Sequence, residues 1–164
     1  MTKVLAGHTA PTFTLSGLDG QRFALTDVLK KGPVVAAFLK VSCPVCQFTF
    51  PFLERLYAFY RDERVTFWAI SQDDATDTKE FCADLGVTFP PLLDEDGYPV
   101  SNLYGLTNVP TILLIAPDGK VRVSCMGFGK AELEEISGKL AEYLGKSPAP
   151  VFRTGEVVPE YKPG

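Results

Sequence analysis

The chain of 164 residues is 46% hydrophobic and 22% charged, with a net charge of -4 and an isoelectric point near 5.0. That length suits one domain with a core of its own, and the balance is that of a folded globular chain rather than a disordered one. No basic surplus exists to neutralise phosphates, which argues against nucleic acid or an anionic membrane as partner. The opening "MTKVLAGHTAPTF" holds neither the apolar stretch of a signal peptide nor a bilayer-length run, so a cytoplasmic location is expected.

In chain order, "TFTLSGLDGQRFAL" reads as two short strands around a Gly-containing turn, a hairpin ahead of the main domain. "PVVAAFLKV" is a continuous apolar run, the pattern of a strand buried on both faces of a parallel sheet, and its end delivers Cys43. From Val45 to about Arg61 the residues Phe48, Phe52, Leu53, Leu56, Phe59 and Tyr60 recur at helical spacing, with Pro51 inside the run. "RVTFWAIS" is a second apolar strand that puts Trp68 in the core, and "DATDTKEFCADLG" a helix opened by acids and closed by Gly86.

"TFPPLLDEDGYPVSNLYGL" is turn-rich with room for a short helix, and "PTILLIAPDGKVRVSCMG" reads as an antiparallel pair of strands around Pro-Asp-Gly-Lys. "KAELEEISGKLAEYLG" is an amphipathic closing helix. The order predicts an α/β fold with a central mixed sheet flanked by helices. Residues 1–145 form its domain, and 146–164 an extended, proline-rich tail in which Val151, Phe152, Val157, Val158 and Tyr161 are too apolar for a simple linker.

The chemistry concentrates in "CPVC". A pair of cysteines two residues apart is ambiguous alone, but here Cys43 falls between a buried strand and a helix N-terminus. Unsatisfied backbone N–H groups there favour negative charge, and thiolate is the attacking form of cysteine. Cys46, at helical spacing, can reach back to the mixed disulfide that Cys43 has made.

With these features the sequence resembles the thioredoxin-fold redoxins, being similar to the thioredoxin-like proteins of cytochrome maturation and to the peroxiredoxin-like AhpC/TSA grouping. The resemblance covers about residues 10 to 145. Besides "CPVC" it rests on Pro51, on "NVPTILLIAPDGKVR", whose Val-Pro-Thr matches the cis-proline motif, and on the leading hairpin. It implies a thioredoxin fold with an N-terminal hairpin extension and thiol:disulfide oxidoreductase activity, with Cys43 attacking and Cys46 resolving. It also implies a cis Pro110 beside the cysteines, keeping metal away and leaving the Val109 backbone free for a bound peptide. Val109 and Pro110, with Pro44 and Val45 between the thiols, would form the substrate edge. No cofactor is implied. The expected partners are disulfide-bearing proteins or small thiols and a dithiol reductant, and the expected state is a monomer or weak homodimer.

The chain departs from that pattern where a proton acceptor would sit. The buried acid of thioredoxins is replaced by Ala37, the acid of the cytochrome-maturation relatives by Thr49, and the usual Trp before the first cysteine by Ser42. Water, the Cys43 leaving thiolate or Lys40 would then have to take the proton of Cys46.

Three other readings compete. Zinc would need a second close ligand pair, which Cys82 and Cys125 do not form. A peroxidase would need Pro-x-x-x-Thr/Ser-x-x-Cys, but Ala36 and Lys40 occupy those positions before Cys43; peroxide could still oxidise a reactive thiol to sulfenic acid, closing to Cys43–Cys46. A non-enzymatic binding module is opposed by the intact pair. His8 is far in sequence from the cysteines, and the acids of "SQDDATDTKE" read as helix caps.

Overall fold

Residues 3–164 are described by the computed structural model. Strand β3, Val34–Leu39, is buried at every position: it is paired along both edges and covered by a core layer on each face. β4 (Thr66–Ser71) runs parallel to it and β6 (Thr111–Ile115) antiparallel. β1 (Thr14–Gly17), β2 (Arg22–Ala24), β5 (Pro91–Leu93) and β7 (Val121–Met126) complete a seven-stranded sheet of order β2-β1-β5-β4-β3-β6-β7. The expected hairpin β1–β2 is therefore an edge of the central sheet, joined to it through β5.

The side-chain alternation of a strand divides the core into two layers. Val35, Ala37 and Leu39 face α2 (Pro44–Tyr60), α3 (Ala75–Leu85) and α5 (Lys130–Leu144), where Phe50, Leu53, Leu56, Phe81, Leu133 and Ile136 are buried. Val34, Ala36 and Phe38 face the other way, into a layer with Trp68, Leu25 of α1 (Leu25–Leu29) and Val100 of α4 (Pro99–Leu103). Trp68 is 1% exposed, with Phe13 and Phe23 edge-on to it. Burial of one such ring is worth roughly 3 kcal/mol or more.

Two expected boundaries follow from local chemistry. α3 ends because Gly86 takes the left-handed conformation at φ 69° and returns its N–H to the last turn. α2 carries Pro51 inside it, at an intermediate exposure, and still runs to Tyr60. β5 and α1 have no counterpart in the sequence reading. β5 begins with Pro91, a position where a strand tolerates the missing donor, and Pro90 accepts a bond from the Ala69 N–H.

Residues 146–164 hold little regular secondary structure and lie against the domain. A closed ring of hydrogen bonds fixes the first part. The Ala149 N–H donates to Tyr60 Oη at 2.6 Å and Ser137 Oγ donates to the Ala149 carbonyl at 2.8 Å; Tyr60 Oη, 2.8 Å from Ser137 Oγ, is left to donate to it. Val151 is buried, and Phe152 packs on Phe52 and Phe128. Arg55 donates to the Val151 carbonyl and forms a bidentate pair with Glu156 at 2.7 Å. Beyond Val157, which is 96% exposed, the short strand β9 (Tyr161–Lys162) pairs antiparallel with β8 (Phe128–Gly129).

Candidate active site at the end of strand β3

Four residues after the end of β3, Cys43 is the N-cap of α2. Its Sγ accepts the Cys46 N–H at 3.3 Å, the role an Asp or Ser oxygen ordinarily fills. Pro44 follows at the first helical position, where its missing N–H costs nothing. The loop before it is held on several sides. Cys43 N–H donates to the Lys40 carbonyl at 3.0 Å, Gln47 Nε2 to the Val41 carbonyl at 2.9 Å, and the Val41 N–H to Asp73 Oδ2 at 2.8 Å.

The two thiols have different surroundings. Cys43 is partly exposed, whereas Cys46 is fully buried. Burial pushes the Cys46 thiol well above its ordinary range; a backbone contact from Lys40 pulls the other way, and the neighbouring Cys43 and Asp73 add to the rise. At neutral pH Cys46 is a protonated thiol beneath an accessible one.

The Val109–Pro110 bond is cis. The Cys43 thiol donates to the Val109 carbonyl at 3.4 Å, and the Gly127 N–H to the Pro110 carbonyl at 2.8 Å. Next to Val109 opens a cavity of about 300 Å³ lined by Gln72, Tyr98, Leu106 and Asn108. Pro44 is exposed and Val45 half-buried on the first turn of α2. Thus Cys43, Cys46, Val109 and Pro110 meet in one place, with Pro44 and Val45 beside them.

The remaining named residues are placed as follows. The Lys40 side chain is exposed, and only its backbone bears on the cysteines. Thr49 is fully buried and donates to the Val45 carbonyl at 2.7 Å, a local helix bond. His8 Nδ1 accepts the Leu5 N–H at 3.1 Å. Burial raises the Cys82 thiol to about 11 and the Cys125 thiol to about 12. No group of three or more potential metal ligands occurs among the described residues.

Asp73 is the residue that sequence reasoning missed. Asp74 is the helix cap, accepting the Asp77 N–H, while Asp73 bonds the loop that carries Cys43. The available signal was topological. In a parallel pair, residues just past the C-terminal ends of β3 and β4 meet at the same edge.

The AhpC/TSA family matches residues 6–124. The chain belongs to that family. The thiol-disulfide oxidoreductase ResA of Geobacillus thermodenitrificans is 35% identical over 122 residues, 74% of this chain and 69% of that protein. ResA of Bacillus thuringiensis strain Al Hakam is 32% identical over 146 residues, 88% of this chain and 79% of the relative. Among solved structures, one from Chlorobium tepidum assigned as a thiol:disulfide interchange protein DsbE superposes with a TM-score of 0.75 at 28% identity, covering 87% of this chain and 100% of that one. The fold is that of thioredoxin, and the chain is a thiol:disulfide oxidoreductase.

Proposed function

We propose that the protein reduces disulfides of other polypeptides, with Cys43 as the attacking and Cys46 as the resolving thiol. The observation that carries this is the asymmetry of the pair: Cys43 Sγ is partly exposed at a helix N-terminus, and Cys46 lies buried within hydrogen-bond reach of it. Cys43 thiolate attacks one substrate sulfur, forming a mixed disulfide, and the other substrate sulfur leaves as a thiolate that takes a proton. Cys46 then loses its proton and attacks Cys43 Sγ. The Cys43–Cys46 disulfide forms and the second substrate thiolate departs, so two electrons have passed to the substrate. A dithiol reductant restores the pair by the reverse exchange.

Cys46 enters only in the second step. Burial holds Cys46 as a thiol until Cys43 is captured in the mixed disulfide, and a dithiol reductant that keeps the pair reduced drives the exchange toward reduction of the substrate. Val109 and Pro110, with Pro44 and Val45, would form the edge against which the substrate lies. The test is a pair of substitutions assayed on insulin with dithiothreitol. Cys46→Ser should accumulate a mixed disulfide with substrate, while Cys43→Ser should be inert; turnover by Cys43→Ser would reverse the assignment.

A further inference from the structure

The segment Tyr161–Gly164 lies outside the region that matches the family, and it packs against the Val109 edge proposed above to receive substrate. β9 brings it across β8, with Lys162 opposite Phe128. Its backbone lies on Gly127. A Cβ at Gly127 would strike the Lys162 carbonyl, and would stand 3.0 Å from the Gly164 nitrogen and 3.2 Å from the Pro163 Cα. Gly127 is the residue whose N–H holds the Pro110 carbonyl. Gly164 then abuts the Val109 carbonyl so closely that a Cβ there would collide with it, and the same Cβ would come 2.9 Å from Asn108 Nδ2. That carbonyl is also the acceptor of the Cys43 thiol. The segment therefore covers the backbone edge beside the attacking sulfur.

How the segment is held divides it into a root and a tip. The root is firm: Ala149 and Val151 are buried, and Arg55 grips Glu156 through two bonds. The tip is held by a two-residue strand pair, by the Lys130 N–H to the Glu160 carbonyl at 3.0 Å, and by Lys162 Nζ lying 5.1 Å from the centre of the Phe48 ring. Between them Val157 is exposed and makes no such tie. The tip residues 161–164 are exposed or half-buried, and none of them is part of the core.

We propose that Tyr161–Gly164 determines substrate specificity at Cys43 by occupying the Val109 edge, so that an extended polypeptide must displace it, whereas a small disulfide reaches the sulfur past it. This rests on the assignment of Cys43 as the attacking thiol. A bound polypeptide strand and this segment would claim the same backbone edge, and only one can be accommodated at a time. The smaller the substrate, the less of that edge it needs.

The test compares the full chain with a variant lacking residues 161–164 and with Lys162→Ala. Each is assayed for the second-order rate constant of reduction of insulin and of bis(2-hydroxyethyl) disulfide. Deletion should raise the insulin rate about five- to tenfold, the factor expected for releasing a short strand pairing, and change the small-disulfide rate less than about twofold. Lys162→Ala, which keeps every backbone bond, should move the insulin rate the same way by a smaller factor, and circular dichroism should show both variants folded. Equal rates on insulin for all three proteins, or a slower deletion variant, would overturn the proposal. Failure of the Cys43 assignment is separate: it would appear as activity in Cys43→Ser within the full chain, whatever the deletion does.

Discussion

Cys43 and Cys46 differ from Cys82 and Cys125 in neighbourhood more than in burial. Cys46, Cys82 and Cys125 are all buried, and burial is the first cause of the raised pKa in each. What separates Cys46 is that a second sulfur stands at the mouth of its helix, accepting its N–H at 3.3 Å. Cys82, on α3, packs in the core, and Cys125, on β7, donates to the Gly127 carbonyl at 3.4 Å. A buried thiol with no partner sulfur behaves as a small hydrophobe; one beneath an exposed thiol can close a disulfide.

The largest effect that would break this comparison is functional. Cys43→Ser should lower reduction of a protein disulfide by on the order of a thousandfold, since an alcohol replaces the proposed nucleophile. Cys82→Ala and Cys125→Ala should keep activity within about twofold, and each should cost on the order of 1 kcal/mol of stability by leaving a small void. Insulin turnover and urea unfolding of the same samples would read both. Loss of turnover in Cys82→Ala or Cys125→Ala, with the fold intact, would mean that the substituted cysteine takes part in electron transfer.

Much of this contrast was legible in the sequence. The apolar run "PVVAAFLKV" gave strand β3, and its end gave the position of Cys43, because continuous burial and a helix start both leave strong local patterns. The same patterns yielded β4, α3 with its Gly86 cap and the β6–β7 pair. β5 and α1, of three and five residues, are too short for a period to emerge. Asp73 was hidden because its role depends on β3 and β4 lying side by side, which no local pattern encodes. The tail's apolar residues marked it as more than a linker, and only the partners that hold it were hidden, for a related reason. Tyr60 and Ser137, which hold Ala149, are 77 residues apart in sequence, and the tail's apolar residues follow no period.

A second, smaller effect sharpens what distinguishes Cys46. Its raised pKa comes first from burial, with Asp73 contributing through its charge. Resolution of a mixed disulfide should therefore be slow near neutral pH and quicken steadily as pH rises past about 8.5, the range of a free thiol. Asp73→Asn keeps an oxygen for the Val41 N–H while removing the charge, so it should speed resolution near pH 7 by about two- to threefold. Stopped-flow decay of the mixed disulfide against pH would measure this. A tenfold slowing in Asp73→Asn would instead make Asp73 the acceptor of the Cys46 proton.

The smallest effect concerns stability at high pH, and it separates Cys46 from Cys82 and Cys125 by oxidation state. In the reduced protein Cys82 and Cys125 are raised to about 11 and about 12 from 9.0, and Cys46 is raised as well. As pH climbs above about 9 the unfolded chain loses these protons while the native protein keeps them, so the native state binds more protons and stability falls with pH. The decline should begin near the unfolded value and continue until the native thiols themselves ionise, with a loss of a few degrees in Tm for each kcal/mol. Oxidation to the Cys43–Cys46 disulfide removes Cys46 from this titration and leaves Cys82 and Cys125 in it. Thermal melts from pH 8 to 10 should therefore fall less steeply for the oxidised protein than for the reduced one, and Cys82→Ala should flatten both curves by the same amount. Identical slopes for the oxidised and reduced proteins would mean that Cys46 contributes nothing to the alkaline loss, and that its burial does not hold its proton.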